Sequence, residues 1–128
     1  MQKQYQSSVL LVDDNRELVG LLGSILEFEG YTVHRAYSGE EALTTAGVTK
    51  PNFVLTDTEM PGMSGFELSA ALTRSPGGPV VYVCSASPQP DLKKRAEDAG
   101  AQGFLPKPIK SQQLIDIIAS HSFEKVYN

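Results

Sequence analysis

The chain switches between two hydrophobic periods, and it does so five times. Val9-Leu10-Leu11-Val12 is an unbroken apolar run, the pattern of a strand covered on both faces. Leu18, Leu21, Leu22, Ile25 and Leu26 then recur at helical spacing, and Gly30 stands where the helix should stop. Tyr31 to Ala36 reads as a second strand, with Thr32 and His34 alternating against Val33. Ser38 with Glu41 three residues on has the form of a capping box, opening a short helix through Ala46. Phe53-Val54-Leu55-Thr56 is the third strand, and Asp57 through Gly65 reads as a loop. Phe66, Leu68, Ala71 and Leu72 mark a third helix, stopped by Ser75-Pro76-Gly77-Gly78. Val80-Val81-Tyr82-Val83-Cys84 is the fourth strand; a helix from Pro88 to Ala99 follows, with Ser87 as N-cap, Pro88 and Pro90 in the first turn and Gly100 as the stop. Gly103-Phe104-Leu105 is a short fifth strand, and Leu114, Ile115, Ile117 and Ile118 mark a fifth helix. Gly20 and Gly23 interrupt the first helix at up to about 1 kcal/mol each against Ala, a cost read as close packing against a neighbour.

Five strand-then-helix units in series predict an α/β fold: a parallel five-stranded sheet between two layers of helices, a (βα)5 three-layer sandwich. The flavodoxin-like order 2-1-3-4-5 is the natural one, with its crevice at the carboxyl ends of strands 1 and 3, where the winding reverses. At 128 residues the chain is read as a single domain, residues 1–128, with a core of about 7–120 and a short tail at 121–128. Eleven Lys and Arg against 15 Asp and Glu give a net charge of −4, which disfavours nucleic acid or an anionic membrane as the main partner. One cysteine, Cys84, leaves no disulfide framework and is read as a buried strand residue. No apolar run approaches the roughly 20 residues of a membrane span, and the expected location is the cytoplasm.

The predicted fold gathers polar residues at one sheet edge. Strand 1 ends in Asp13-Asp14, strand 3 in Asp57 and strand 4 in Ser85, while Lys107 follows strand 5. Taken singly, each is an ordinary turn or cap residue; their convergence at four strand ends is what points to a site. Two carboxylates about 4 Å apart repel by about 4 kcal/mol at an effective dielectric of 20. Three such acids ask for a cation, and a small hard ion held by carboxylates and waters describes Mg2+. Zinc is disfavoured, since His34 and His121 are the only imidazoles, one expected on an exposed edge strand and one near the C-terminal end. With Mg2+ and Lys107 to neutralise phosphoryl oxygens and Ser85 to donate a hydrogen bond, Asp57 reads as a nucleophile toward phosphorus.

These residues make the chain resemble the receiver domain of two-component response regulators, of the chemotaxis-regulator type, over about residues 7–120. The resemblance is carried by Val9-Leu10-Leu11-Val12-Asp13-Asp14-Asn15, by Leu55-Thr56-Asp57-Thr58-Glu59-Met60-Pro61-Gly62-Met63-Ser64-Gly65, by Cys84-Ser85-Ala86, and by Ala99-Gly100-Ala101 with Phe104-Leu105-Pro106-Lys107-Pro108. It implies that Asp57 accepts a phosphoryl group and that Mg2+ is held by Asp14 directly, by Asp13 partly through water, by Asp57 and by the backbone carbonyl of Glu59. It implies a switch in which the Ser85 hydroxyl moves toward the phosphoryl group and Phe104 fills the vacated space, biasing the face of helix 4, strand 5 and helix 5. It further implies a cis Lys107-Pro108 peptide, and a sensor histidine kinase or histidine phosphotransfer protein as donor. A downstream protein target or a fused output domain would receive the signal; by this reading the domain is not a turnover enzyme.

The chain departs from the commonest receiver pattern at three points. Ser85 stands where Thr is more frequent; Glu59 adds an acid that would pair with Lys107 before phosphorylation; Ser87 leaves room for attacking water. Gln112, Gln113 and Asp116 do not show the dimer charge pattern of the large transcription-factor subgroup. Three other readings stay open. Asp57-Thr58-Glu59 imitates the nucleophile motif of haloacid-dehalogenase phosphatases, the fold suits a flavin, and a receiver can serve as a docking module alone.

Overall fold

The structure is a computed structural model of the chain and describes residues 2–5, 7–87, 89–121 and 124–127; at 2–5 and 124–127 it describes backbone only. In chain order the elements are β1 (Gln2–Tyr5), β2 (Ser8–Val12), α1 (Arg16–Phe28), β3 (Thr32–Ala36), α2 (Gly39–Thr49), β4 (Phe53–Asp57), α3 (Gly65–Thr73), β5 (Val80–Ser85), α4 (Leu92–Asp98), β6 (Gly103–Pro106), α5 (Ser111–Ser120) and β7 (Glu124–Tyr127). The five central strands form one parallel sheet in the order β3-β2-β4-β5-β6, which is 2-1-3-4-5 counted within that sheet. The expected architecture is therefore present.

Strand alternation sorts the core into two layers. On one face Val9, Leu11, Phe53 and Leu55 pack with Val19, Leu22 and Leu26 of α1 and Leu114 and Ile118 of α5. On the other face Leu10, Val12, Val54, Val81 and Val83 pack with Ala42, Ala46, Leu68 and Ala96 of α2, α3 and α4. Every residue of β4 is buried, so the central strand carries Asp57 out of the middle of the sheet. Truncating one of the fully buried leucines to Ala would cost about 2–5 kcal/mol.

Helix boundaries follow local chemistry. Asn15 caps α1, its side chain accepting from the Leu18 N–H at 3.1 Å, and Gly30 turns the chain at φ +100°. Ser38 caps α2 as expected, accepting from the Glu41 N–H at 3.1 Å, and the helix runs on past Ala46 to Thr49. A reciprocal capping box forms at α3, where Ser64 and Glu67 each accept the other's backbone N–H. Asp57 belongs to its strand rather than to the loop after it.

One expectation is corrected here. The fourth helix starts at Leu92, four residues later than predicted, and Pro90 lies in the turn before it. Proline disfavours helical geometry in the residue preceding it, and the Leu92 N–H closes a turn on the Gln89 carbonyl at 3.0 Å instead. The Pro88 part of that expectation lies outside the described residues. Within the C-terminal tail, β7 pairs antiparallel with β1 in the register Gln2 opposite Tyr127 and Tyr5 opposite Glu124, a pairing that apolar spacing did not announce.

The glycines of α1 divide. A Cβ on Gly23 would run into the Arg35 guanidinium, which lies across the helix and pairs with Glu27 at 3.0 Å. A Cβ on Gly20 would meet nothing within 4 Å, so the close packing expected there is absent. Gly65 is the tightest position: its Cβ would collide with the Asp57 carbonyl oxygen and stand 2.9 Å from Thr58 Cα. Urea denaturation should show Gly20→Ala raising stability by up to about 1 kcal/mol. Gly65→Ala should lower it by about 1–3 kcal/mol, because backbone must move.

Candidate functional site

The site is built at the carboxyl edge of the sheet, where β2, β4, β5 and β6 end side by side. Asp13 follows β2 and is held in line by its N–H on the Ala36 carbonyl at 3.2 Å. Its Oδ1 accepts the Asn15 N–H at 2.9 Å, which aims Oδ2 at the sheet edge. Asp57 ends β4, and its Oδ1 takes a long contact from the Glu59 N–H at 3.4 Å. Lys107 follows β6, anchored by its N–H on the Ser85 carbonyl at 2.9 Å, and the Lys107-Pro108 peptide is cis as expected.

Its ammonium joins the two acids. Lys107 Nζ lies 2.8 Å from Asp13 Oδ2 and 3.4 Å from Asp57 Oδ2. Asp13 and Asp57 are only 4% and 8% exposed, so this is a mostly desolvated cluster with two negative charges and one positive. The imbalance shows in acidity. Burial pushes the Asp57 carboxyl above its ordinary range; Lys107 pulls it back, Asp13 pushes it up again, and the Glu59 N–H opposes. Burial works against the charged form of Lys107, yet the Asp13 hydrogen bond and the two carboxylates outweigh it and hold the ammonium above its usual range.

Of the residues expected here, Asp13, Asp57 and Lys107 are in contact. Ser85 is buried, but its hydroxyl is engaged elsewhere: it accepts the Ser87 N–H and donates to the Ser87 carbonyl, each at 3.1 Å. Phe104 pairs in register with Val83 and is 39% exposed. Asp14 is exposed and is not among the acids grouped with Asp57. The expected pairing of Glu59 with Lys107 is not present: the Glu59 side chain is exposed, while Asp13 and Asp57, nearer to the ammonium and less hydrated, take it instead. His34 is half-buried on the edge strand rather than exposed.

Sequence reasoning missed one neighbour of the site and one contact beyond it. The Cys84 sulfur lies within 4.8 Å of both the Asp13 and Asp57 carboxylates. Its S–H donates to the Thr56 carbonyl at 3.5 Å. Burial first, then the two acids against the pull of Lys107, push the thiol up to about 12. Cys84 is thus a neutral, apolar wall of the site, and its place opposite Asp57 in the β4–β5 register is the signal that would have found it. Arg16, two residues after the acid doublet, stacks on the Tyr37 ring at 4.0 Å, and no local sequence pattern announces that contact.

Tested against a divalent cation, the donors fit a hard ion. The cluster offers two carboxylates and no imidazole among the described residues, and its one thiol is held protonated. Lys107 supplies only half of the compensating charge, so a cation gains from joining.

Comparison with known proteins identifies the family. Residues 9–119 match the model of the response regulator receiver domain family. The chain is 36% identical over 121 residues to the positive alginate biosynthesis regulatory protein of Pseudomonas aeruginosa, covering 90% of this chain and 47% of that protein. It is 32% identical over 111 residues to the chemotaxis protein CheY of Halobacterium salinarum, covering 87% of this chain and 92% of that protein. It thus spans about half the length of most of the curated relatives it matches. A CheY-like receiver domain protein from Methanospirillum hungatei superposes with a TM-score of 0.85 at 27% identity, over 91% of this chain and 93% of that one. The receiver domain of a signal transduction histidine kinase from Syntrophus aciditrophicus gives 0.80 at 28% identity, over 89% and 88%. With its five-unit sheet, its paired acids and its lysine, the chain belongs to the response regulator receiver domain family.

Proposed function

We propose that this chain is a phosphoacceptor switch: Asp57 takes a phosphoryl group from a histidine kinase or a histidine phosphotransfer protein, and the change is read on the surface of α4, β6 and α5. The observation that carries it is the Asp57 carboxylate at the end of the central strand, 3.4 Å from Lys107 Nζ and grouped with Asp13. A carboxylate oxygen of Asp57 bonds to phosphorus as the donor's P–N bond breaks, and the donor imidazole leaves with the bonding pair. Lys107 then pairs with a phosphoryl oxygen, a charge-assisted contact beside the buried acids. Asp13, Asp14, Asp57 and the Glu59 carbonyl would hold Mg2+, which when bound neutralises negative charge on the phosphoryl oxygens. A carboxylate carrying a phosphoryl group is an acyl phosphate, open to water, which suits a transient signal.

Ser85 and Phe104 would report the event. Before phosphorylation the Ser85 hydroxyl is occupied by the Ser87 backbone and Phe104 is partly in solvent. A phosphoryl group on Asp57 adds strong acceptors and draws the Ser85 hydroxyl away from Ser87, leaving space for the Phe104 ring. By this reading residues 7–120 form one independently working receiver that acts in the cytoplasm as a signalling module, passing its state to a protein target or to a fused output domain. Among the described residues no helix is long and apolar enough to cross a membrane.

Incubation with acetyl phosphate and Mg2+ should add one phosphoryl mass to the wild type and none to Asp57→Asn; equal gain in both, or in neither, contradicts the assignment. With a beryllofluoride mimic and Mg2+, Phe104 should become buried and the Ser85–Ser87 bond should open, as read by side-chain resonances. Electrostatics gives a separate check in EDTA. Because burial raises the pKa of Asp57 in the folded state, its contribution to stability is full below the ordinary carboxylate range and lost as pH rises through the folded value. Asp57→Asn should therefore be more stable than wild type at neutral pH, by about 1 kcal/mol, with the gain vanishing in acid. Lys107→Met should cost about 1–3 kcal/mol at neutral pH, since it strands two shielded acids.

A further inference from the structure

Beside the phosphoacceptor, between the β4–α3 loop, α3 and α4, the surface opens into a cleft of about 490 Å3. That is within the size range of small-molecule sites. Its apolar lining comes from Met60 and Leu92, both buried, and from Phe66; Ser85 stands among its polar residues. The Arg95 guanidinium lies over the Phe66 ring, 4.2 Å from its centre.

Arg95 is the unusual feature. Stacking by its face on Phe66 fixes the plane of the guanidinium and leaves its N–H edges free for acceptors. One of these reaches the Gln89 side-chain oxygen at 3.4 Å, a long contact. Among the described residues no carboxylate pairs with it. The neighbouring Lys94, by contrast, pairs with Asp98 at 3.4 Å. A planar cation held in place without a counter-ion, beside apolar surface, has one natural complement: a planar anion attached to an apolar body. Glu59 also lines the cleft, together with Thr58 and Ser85, while Arg95 and Leu92 come from α4. The two charges repel and attract a carboxylate respectively, and so orient an occupant with its acid toward α4.

We propose that the α3–α4 cleft binds a small aromatic carboxylate, its ring on Met60, Phe66 and Leu92 and its acid on the fork of Arg95. The occupant touches both the Ser85 end of β5 and helix α4, so the site is a place where a metabolite-sized molecule would act on the domain. This does not rest on the phosphoacceptor reading, because neither Asp57 nor a metal ion takes part in binding.

The test is a titration of the amide resonances with 1-naphthoate and with its neutral isostere, 1-naphthamide. The acid should move the amides of Met60, Phe66, Leu92 and Arg95 saturably, with the amide at least about tenfold weaker, the worth of a charge-assisted pair. Arg95→Gln, a change at an exposed position that leaves the rest of the spectrum in place, should remove the difference between acid and amide. Arg95→Lys should retain part of it. Asp57→Asn should bind naphthoate like the wild type; loss of binding there would place the anion at the phosphoacceptor and overturn the proposal. So would equal affinity for acid and amide in the wild type, or an absence of saturation. Tighter binding of N-acetyl-Phe-Asp-amide than of naphthoate would assign the cleft to a protein segment and equally overturn it.

Discussion

A single ammonium group holds two shielded acids at the end of the sheet, and most of the molecule is arranged around that sharing. Lys107 bridges Asp13 and Asp57, which come from strands 94 and 50 positions away in the chain if one counts from the lysine back to each acid. Two carboxylates within 4.8 Å repel by about 3–4 kcal/mol at an effective dielectric of 20. One cation offsets this and leaves a residual negative charge. The cluster is thus stable enough to fold and unbalanced enough to welcome another positive ion. The backbone enforces the arrangement: Asp13 is tied to Ala36, Thr58 to Cys84 and Lys107 to Ser85.

The sheet supplies the rigidity, and its two faces do so differently. The α1 and α5 side is filled by Leu, Ile and Val. The α2, α3 and α4 side relies heavily on alanine, with Ala36, Ala42, Ala46, Ala96 and Ala101 all buried. Small side chains leave fewer interlocking contacts to resist sliding. It is also the side that carries the cleft and the short seven-residue α4. The acids sit at the end of the sheet between a bulky layer and a lightly anchored one.

Much of this was legible in the residues. The apolar runs named the strands because strands buried on both faces cannot alternate, and the strand ends named Asp13, Asp57, Ser85 and Lys107 once the order was set. What stayed hidden depends on distance and direction rather than on residue type. Asp14 carries the same carboxylate as Asp13 but faces solvent. Glu59 is near Asp57 in sequence, yet Lys107 chooses the less hydrated acids. The fourth helix begins late because Pro90 acts on the residue before it, an effect that apolar spacing does not display. The stacking of Arg95 on Phe66 joins two helices and leaves no trace in either one's pattern.

Gly23 has a consequence at the other side of the molecule. Because it lacks a side chain, Arg35 can lie back over α1 toward Glu27, which keeps a charge fixed on β3, one of the two open borders of the sheet. The opposite border, β6, is four residues long and ends in Pro106, which has no N–H to offer. Neither border presents a long, flat, apolar ladder to another chain. Edge-to-edge growth of a parallel sheet needs such a ladder, so the two borders close the five-stranded sheet at its own width.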